Sequence, residues 1–252
     1  MRSMYLLALA LSGGLALAAA SGLSAQDAPA AAPAAPAAPD GQGANIDDEP
    51  ATVSDAAHSI ERVALATRLA DEARADGSAM GLAAAAEILR AEGLTRSERA
   101  KVTEGGDAAA DASPPSGKSP YEPQALFAEA AQLARTANNE QLAMAIDAQA
   151  SATKTRQSLR GGTEHYDRVR GNAIDVYTIA FRGHERAVAM AVAEGEHDID
   201  LVVKDENGNT VASDRDSTHI GMCEWTPRWT GEFKLRVINT TQSSVNYSLL
   251  TN

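Results

Sequence analysis

Hydrophobic positions along this chain follow two successive periods, one helical and one strand-like. From residue 53 apolar side chains recur every three or four positions: Ile60, Val63, Ala64 and Ala70 share a stripe, with Leu65, Leu69 and Ala73 beside it. That spacing predicts an amphipathic helix. Gly77 ends it, Ser78 is placed to cap a second, and Leu82, Ala86 and Leu89 keep helical spacing until Gly93. The two are expected to form an antiparallel hairpin. Thr95-Arg-Ser-Glu98 fits a capping box and predicts a third short helix. The Gly, Asp, Ser and Pro residues of 104–119 then read as a flexible loop. A second helical pair starts near Ser119-Pro-Tyr-Glu-Pro123, where a serine cap and early prolines suit a first turn. Leu126, Phe127, Ala130, Leu133 and Ala134 form its stripe; Asn138-Asn139 marks the turn; Leu142, Ala145, Ile146 and Ala150 form the facing stripe of a helix running toward Leu159.

Gly161-Gly162 separates these helices from strand patterns at short spacing: 174–181, 187–193, 199–204, 210–212, 222–226, 232–239 and 247–250, with an earlier strand near 165–169. Consecutive strands without intervening helices imply an antiparallel sandwich or jelly roll. The expected fold class is therefore α+β and multidomain: N-terminal α-helical hairpins over 51–160, then a C-terminal, jelly-roll-like β-sandwich over 163–252. The helical stripes are rich in alanine, which removes little apolar area from water. Two readings follow: an ordinary small helical domain, or one that associates with a partner or itself through its alanine faces.

The first 25 residues read as a signal peptide, with Arg2 as a thin positive region, an apolar stretch over 4–20 and small residues before a cut after Ala25. That stretch is short and interrupted by Ser12, Gly13 and Gly14, so cleavage is expected rather than a transmembrane segment in the mature form. A periplasmic or secreted location follows. Residues 26–50 contain Ala30-Ala-Ala-Pro-Ala-Ala-Pro-Ala-Ala-Pro39, an Ala/Pro tract read as a disordered spacer. The 22 basic and 34 acidic residues give a net charge of -12, which repels phosphate backbones and argues against a nucleic-acid partner. Cys223 is the single cysteine, so no intramolecular disulfide can form. It is either free and buried in its strand or bridged to another chain.

Several segments taken in order carry a resemblance: Asp175-Val-Tyr-Thr-Ile-Ala-Phe181, Asp198-Ile-Asp-Leu-Val-Val203, Asp205-Glu-Asn-Gly208, Thr230-Gly-Glu-Phe-Lys-Leu-Arg-Val237 and Tyr247-Ser-Leu-Leu250. Together they resemble the bacterial pre-peptidase C-terminal domain, a jelly-roll-like sandwich found beside secreted peptidases and in other exported proteins. The resemblance covers the last third of the chain. It implies a non-catalytic module, some members of which bind calcium or extracellular polymers.

The clearest chemical cluster is acidic. Asp198 and Asp200 precede one strand, Asp205 and Asn207 sit at a turn, and Asp214 and Asp216 follow the next strand. Calcium takes several oxygen ligands, and carboxylates converging from adjacent loops can supply them. The competing reading is structural, since Asn207-Gly208 is a favoured hairpin turn and aspartates often bond nearby amides. The spacing is not that of an EF-hand. His219 and Cys223 lack the further ligands of a zinc site, and His197 beside Asp198 reads as a surface pair. Gly77-Ser78-Ala-Met-Gly81 lies between helices and is not a nucleophile elbow. Trp225 and Trp229 are either an exposed aromatic platform or one core residue and one edge cover.

No catalytic residues are singled out. The expectation is an exported, non-enzymatic binding or envelope-supporting protein whose sandwich mediates interaction with an envelope or extracellular protein or polymer. The alternative is an accessory protein of a secreted hydrolase (peptidase) system.

Overall fold

A computed structural model describes residues 43–106, 115, 119, 121–152 and 162–252, all within one compact unit. The leader, most of the spacer and the end of the last expected helix lie outside these residues. Helix α1 (Asp55–Ala75) is capped by Ser54, whose side chain accepts from the Ala57 amide, and α2 (Ala79–Glu92) is capped by Ser78. Gly93 closes α2 at φ 55°, a left-handed conformation that glycine adopts without a Cβ penalty. Helix α3 (Pro123–Thr136) begins with Pro123 after Glu122, so the expected serine cap is displaced; Ser119 accepts instead from the Tyr121 amide. Asn139 caps α4 (Glu140–Ser151) after a turn in which Asn138 takes φ 56°.

Successive helices pack on one another, α1 on α2, α2 on α3 and α3 on α4. The alanine stripes are buried within the chain: Ala57, Ala64, Ala66 and Ala70 on α1, Ala83, Ala85 and Ala86 on α2, and Ala130, Ala131 and Ala134 on α3. The expected flank of α1 is only partly realised, because Leu65 is 58% exposed.

The β-sandwich is built from eight antiparallel strands: β3 (Thr163–Val169), β4 (Ala173–Phe181), β5 (Ala187–Ala193), β6 (Asp200–Lys204), β7 (Thr210–Asp214), β8 (Ile220–Trp225), β9 (Gly231–Asn239) and β10 (Val245–Thr251). They form the orders β3-β10-β5-β8 and β4-β9-β6-β7, each sheet drawing strands from both ends of the segment. That interleaving is a jelly roll. Tyr177, Phe233, Leu235, Leu201, Tyr247 and Leu249 fill the space between the sheets.

Two short strands preceding α3 depart from expectation. The stretch read as a capping box is β1 (Thr95–Arg96), parallel to β3, and the start of the predicted loop belongs to β2 (Val102–Gly105), antiparallel to β4. The capping pattern loses because this strap crosses the sandwich from one sheet edge to the other and its backbone groups pair there. The helical region thus supplies an edge strand to each sheet. The helices also cover one sheet directly: β5 reads Ala-Val-Ala-Met-Ala-Val-Ala, its alanines facing the sandwich interior while Val188, Met190 and Val192 share a hydrophobic core with α1, α2 and α3. The two expected domains are therefore layers of one body. Gly162, expected to separate the helices from the strands, is buried, and an added Cβ would come within 3.0 Å of Leu94 and 3.1 Å of Ile60.

Residues 43–50, the end of the expected spacer, are also held. Asn45 is fully buried; its amide donates to Asp205 Oδ2 at 2.9 Å, its Nδ2 donates to the Trp229 carbonyl at 3.1 Å, and its Oδ1 accepts from the Trp229 amide at 3.0 Å.

Candidate functional site

The six oxygen-bearing residues singled out in the sequence do not come together as one ligand set. Asp200 opens β6 and Asp214 ends β7 beside it, paired with Leu201, so Asp198, Asp200, Asp214 and Asp216 share one end of the hairpin. Asp205 and Asn207 lie at the opposite end, about 13 Å of strand away at the usual rise. There Asp205 is fully buried. Its Oδ1 accepts from the Asn207 and Asn209 amides at 3.0 and 2.8 Å, and its Oδ2 from Asn209 Nδ2 and the Asn45 amide, both at 2.9 Å. Burial alone would push its pKa up, but these hydrogen bonds more than offset that and hold it below the usual carboxylate value. Asn207 is exposed at the turn.

At the other end Asp214 Oδ2 accepts from the Met222 amide at 2.9 Å and Asp216 Oδ1 from Thr218 Oγ1 at 2.6 Å. Asp198 Oδ1 is buried with no hydrogen-bond partner among the described residues. Burial, then repulsion from Asp198, raises the Asp200 pKa; Arg215 opposes this, and Asp214 and Asp216 add to it. Among the described residues no group of three or more His, Cys, Asp or Glu side chains is arranged to hold a metal ion.

The other sequence candidates separate as well. Trp225 is 4% exposed and packs edge-on against Phe181 at 4.8 Å between ring centres, whereas Trp229 is partly exposed and donates from Nε1 to Glu206 Oε1 at 2.5 Å. They form no common platform. His219 Nε2 lies 3.0 Å from Asp71 Oδ2 on α1, while Cys223 faces the sandwich interior, where burial, then Asp214, pushes its thiol up to about 12. His197 is exposed.

A charged network that the sequence reading did not identify lies between the sheets, where the strap enters. Lys101 donates at 2.8 Å to Asp175 Oδ2 and at 2.7 Å to the Arg168 carbonyl, and pairs with Asp167 Oδ2 at 2.8 Å. Asp175 is fully buried and also accepts from Thr103 Oγ1 at 2.6 Å and Tyr247 Oη at 2.9 Å. The Tyr177 hydroxyl bonds that of Tyr247. His165 Nε2 is 3.2 Å from Asp167 Oδ2. Burial opposes the Asp167 charge, yet its bonds to His165, Lys101 and the Arg168 amide hold its pKa well below the usual range; burial raises both tyrosines. The network satisfies its charges internally and joins both sheets to the strap.

The feature best suited to a ligand lies on the opposite, outer face of the β5 sheet. Here the helical layer leaves a cavity of about 470 Å³. Val63, Leu89, Leu94, Met190, Val192 and Leu250 give it apolar walls, and Arg90, Arg96, Tyr121, Glu122, Glu164 and Ser248 supply polar groups. Such a volume lies within the range of small-molecule sites, which combine apolar walls with a few placed polar groups. Arg96 Nη2 donates to Glu122 Oε1 at 3.1 Å and lies 3.9 Å from Glu164 Oε2, while Ser248 Oγ donates to Glu164 Oε1 at 2.7 Å. The residues of this cavity come from all three helices of the shared core and from β1, β3, β5 and β10, so only the assembled layers create it.

No family model matches the chain, and no curated protein matches it. Among solved structures, the periplasmic inhibitor of g-type lysozyme PliG from Aeromonas hydrophila is similar with 13% identity and a TM-score of 0.28, covering 36% of this chain and 84% of that chain. A family two carbohydrate esterase from Cellvibrio japonicus is similar with 16% identity and a TM-score of 0.24, covering 34% of this chain and 26% of that chain. The match spans about a quarter of the esterase. Likenesses of this extent carry no functional argument, and the reading below rests on the chain's own geometry.

Proposed function

We propose that this chain is an exported binding protein whose ligand occupies the cavity between the helical layer and the jelly roll. The cavity is the observation that carries the proposal: a built, largely apolar space at a junction of layers, with its charged groups paired along the wall. The signal-like leader supports a role outside the cytoplasm, and the pre-peptidase-like pattern of the sandwich supports a module that binds rather than catalyses. N-phenyl-1-naphthylamine, a neutral dye that brightens in apolar sites, tests the reading by fluorescence titration. Saturable binding at one dye per chain is expected, with loss of binding in Val192→Trp, whose ring fills the cavity. Non-saturable brightening, or full binding by that variant with its fold intact by circular dichroism, contradicts the proposal.

A further inference from the structure

The network between the sheets also holds the parts of a covalent cross-link. Lys101 Nζ lies 2.8 Å from an oxygen of each of two carboxyl groups, Asp175 Oδ2 and Asp167 Oδ2, and donates to the Arg168 carbonyl at 2.7 Å. The two acids are not equivalent. Asp175 is fully buried; Thr103 Oγ1 donates to its Oδ1 at 2.6 Å and Tyr247 Oη to its Oδ2 at 2.9 Å. Burial works against the Asp167 charge, but bonds from His165, Lys101 and the Arg168 amide keep it a carboxylate, a poor target for a nucleophile. From Asp167 Oδ2 a file of two hydroxyls, Tyr177 Oη at 3.3 Å and then Tyr247 Oη, leads to Asp175 Oδ2. An amine is thus held against a water-shielded carboxyl group, with a donor on one of its oxygens and a proton path from a second carboxylate to the other. Arginine would make the same ion pair but, always protonated, is no nucleophile; a lysine gives up its proton readily when buried.

We propose that Lys101 and Asp175 condense in the folded chain to an isopeptide bond that ties the strap to β4. The Lys101 ammonium passes one proton to Asp175 Oδ2, leaving a neutral amine and a neutral acid, the pair that burial favours. The amine attacks Asp175 Cγ; the new C–N bond forms as the carbonyl electrons move onto Oδ1, where Thr103 Oγ1 donates to the negative charge. The nitrogen of this adduct, now positive, gives a proton to Asp167 Oδ2. Oδ1 reforms the carbonyl, the Cγ–Oδ2 bond breaks, and the Asp167 proton reaches the departing oxygen through Tyr177 and Tyr247. One ammonium and one carboxylate become one amide and one water, with no other reactant. Lys101 and Asp167 are 21% and 15% exposed, so the water has a way out. In a chain with a single cysteine the bond is a staple that no intramolecular disulfide can supply, and it anchors the segment that gives each sheet an edge strand. Mass spectrometry of the full chain, kept folded for several days, tests the proposal. The intact mass is expected to lie one water below the sum of its residues, and digestion to release a branched peptide joining the Lys101 and Asp175 segments. Lys101→Arg should keep its full mass, and so should Asp167→Asn with its fold intact by circular dichroism. A full mass in the unaltered protein, a lost water without the branched peptide, or the same loss in Lys101→Arg overturns the bond. Complete bridging in folded Asp167→Asn overturns the proton route.

Discussion

Lys101 carries more of the fold than its place in an apparently polar connection suggests. It faces Asp175, which is fully buried, and Asp167, and removing it leaves two carboxylates between the sheets with only neutral partners and His165. Lys101→Met is expected to destabilise the protein by about 3 kcal/mol, measured by urea unfolding, the scale found when one partner of a buried pair is lost. A change within 0.5 kcal/mol, about that of a surface substitution, would show that the network is not stabilising. At the aspartate end of the β6–β7 hairpin the sign is opposite. The folded pKa of Asp200 is raised above its unfolded value of about 3.9, so stability falls as pH rises through that window and the penalty persists at neutral pH. Asp200→Asn should therefore raise Tm by about 2 °C at pH 7, and the gain should vanish below about pH 4. Millimolar calcium should leave the Tm of the unaltered chain unchanged, because Asp205 and Asn207 lie away from the other four residues and Asp205 is filled by four hydrogen bonds. A calcium-dependent rise that Asp200→Asn abolishes would restore a cation role to this end. The acidic residues were legible in the sequence as a class, but their geometry was not, since spacing along a hairpin does not say which end each carboxylate occupies.

Among the elements, helices α1 and α2 and the strands of the jelly roll follow the sequence periods to within a few residues, because their stripes and breakers agree. The strap does not. Thr95-Arg-Ser-Glu98 satisfies a local helix-start pattern, but the open edges of β3 and β4 recruit its neighbourhood as β1 and β2. Strand β5 held the missing signal: Ala187-Val-Ala-Met-Ala-Val-Ala193 is apolar on both faces, the mark of a strand covered on each side. Where β8 crosses β6 there is little room for a side chain: a Cβ on Gly221 would lie 3.0 Å from Leu201 Cβ and 3.2 Å from the Ile199 carbonyl oxygen. Gly221→Ala should cost about 1–3 kcal/mol by overpacking. Unchanged stability in thermal melts would mean that these strands can separate freely.

At the scale of the whole molecule, helices and jelly roll are one folded body. Ile60, Val63, Leu82, Leu89, Phe127, Val188, Met190, Val192 and Leu250 belong to a single core cluster that spans both layers. This was not legible from the Gly161-Gly162 pair, which reads as a boundary only while the covering of β5 is overlooked. A fragment of 163–252 alone would lose β1, β2 and Lys101 and bare the outer face of β5, so it is expected to associate rather than remain a folded monomer. The proposed cavity exists only in the joined form, and cooperative folding of its walls is therefore the claim on which the functional reading stands. Native-state hydrogen exchange tests it most directly, comparing the amides of Val63 on α1 and Leu89 on α2 with those of Met190 on β5 and Leu250 on β10. All four are expected to open with one common free energy, equal to that of global unfolding; helical amides opening several kcal/mol below the strand amides would show instead that the two layers fold separately.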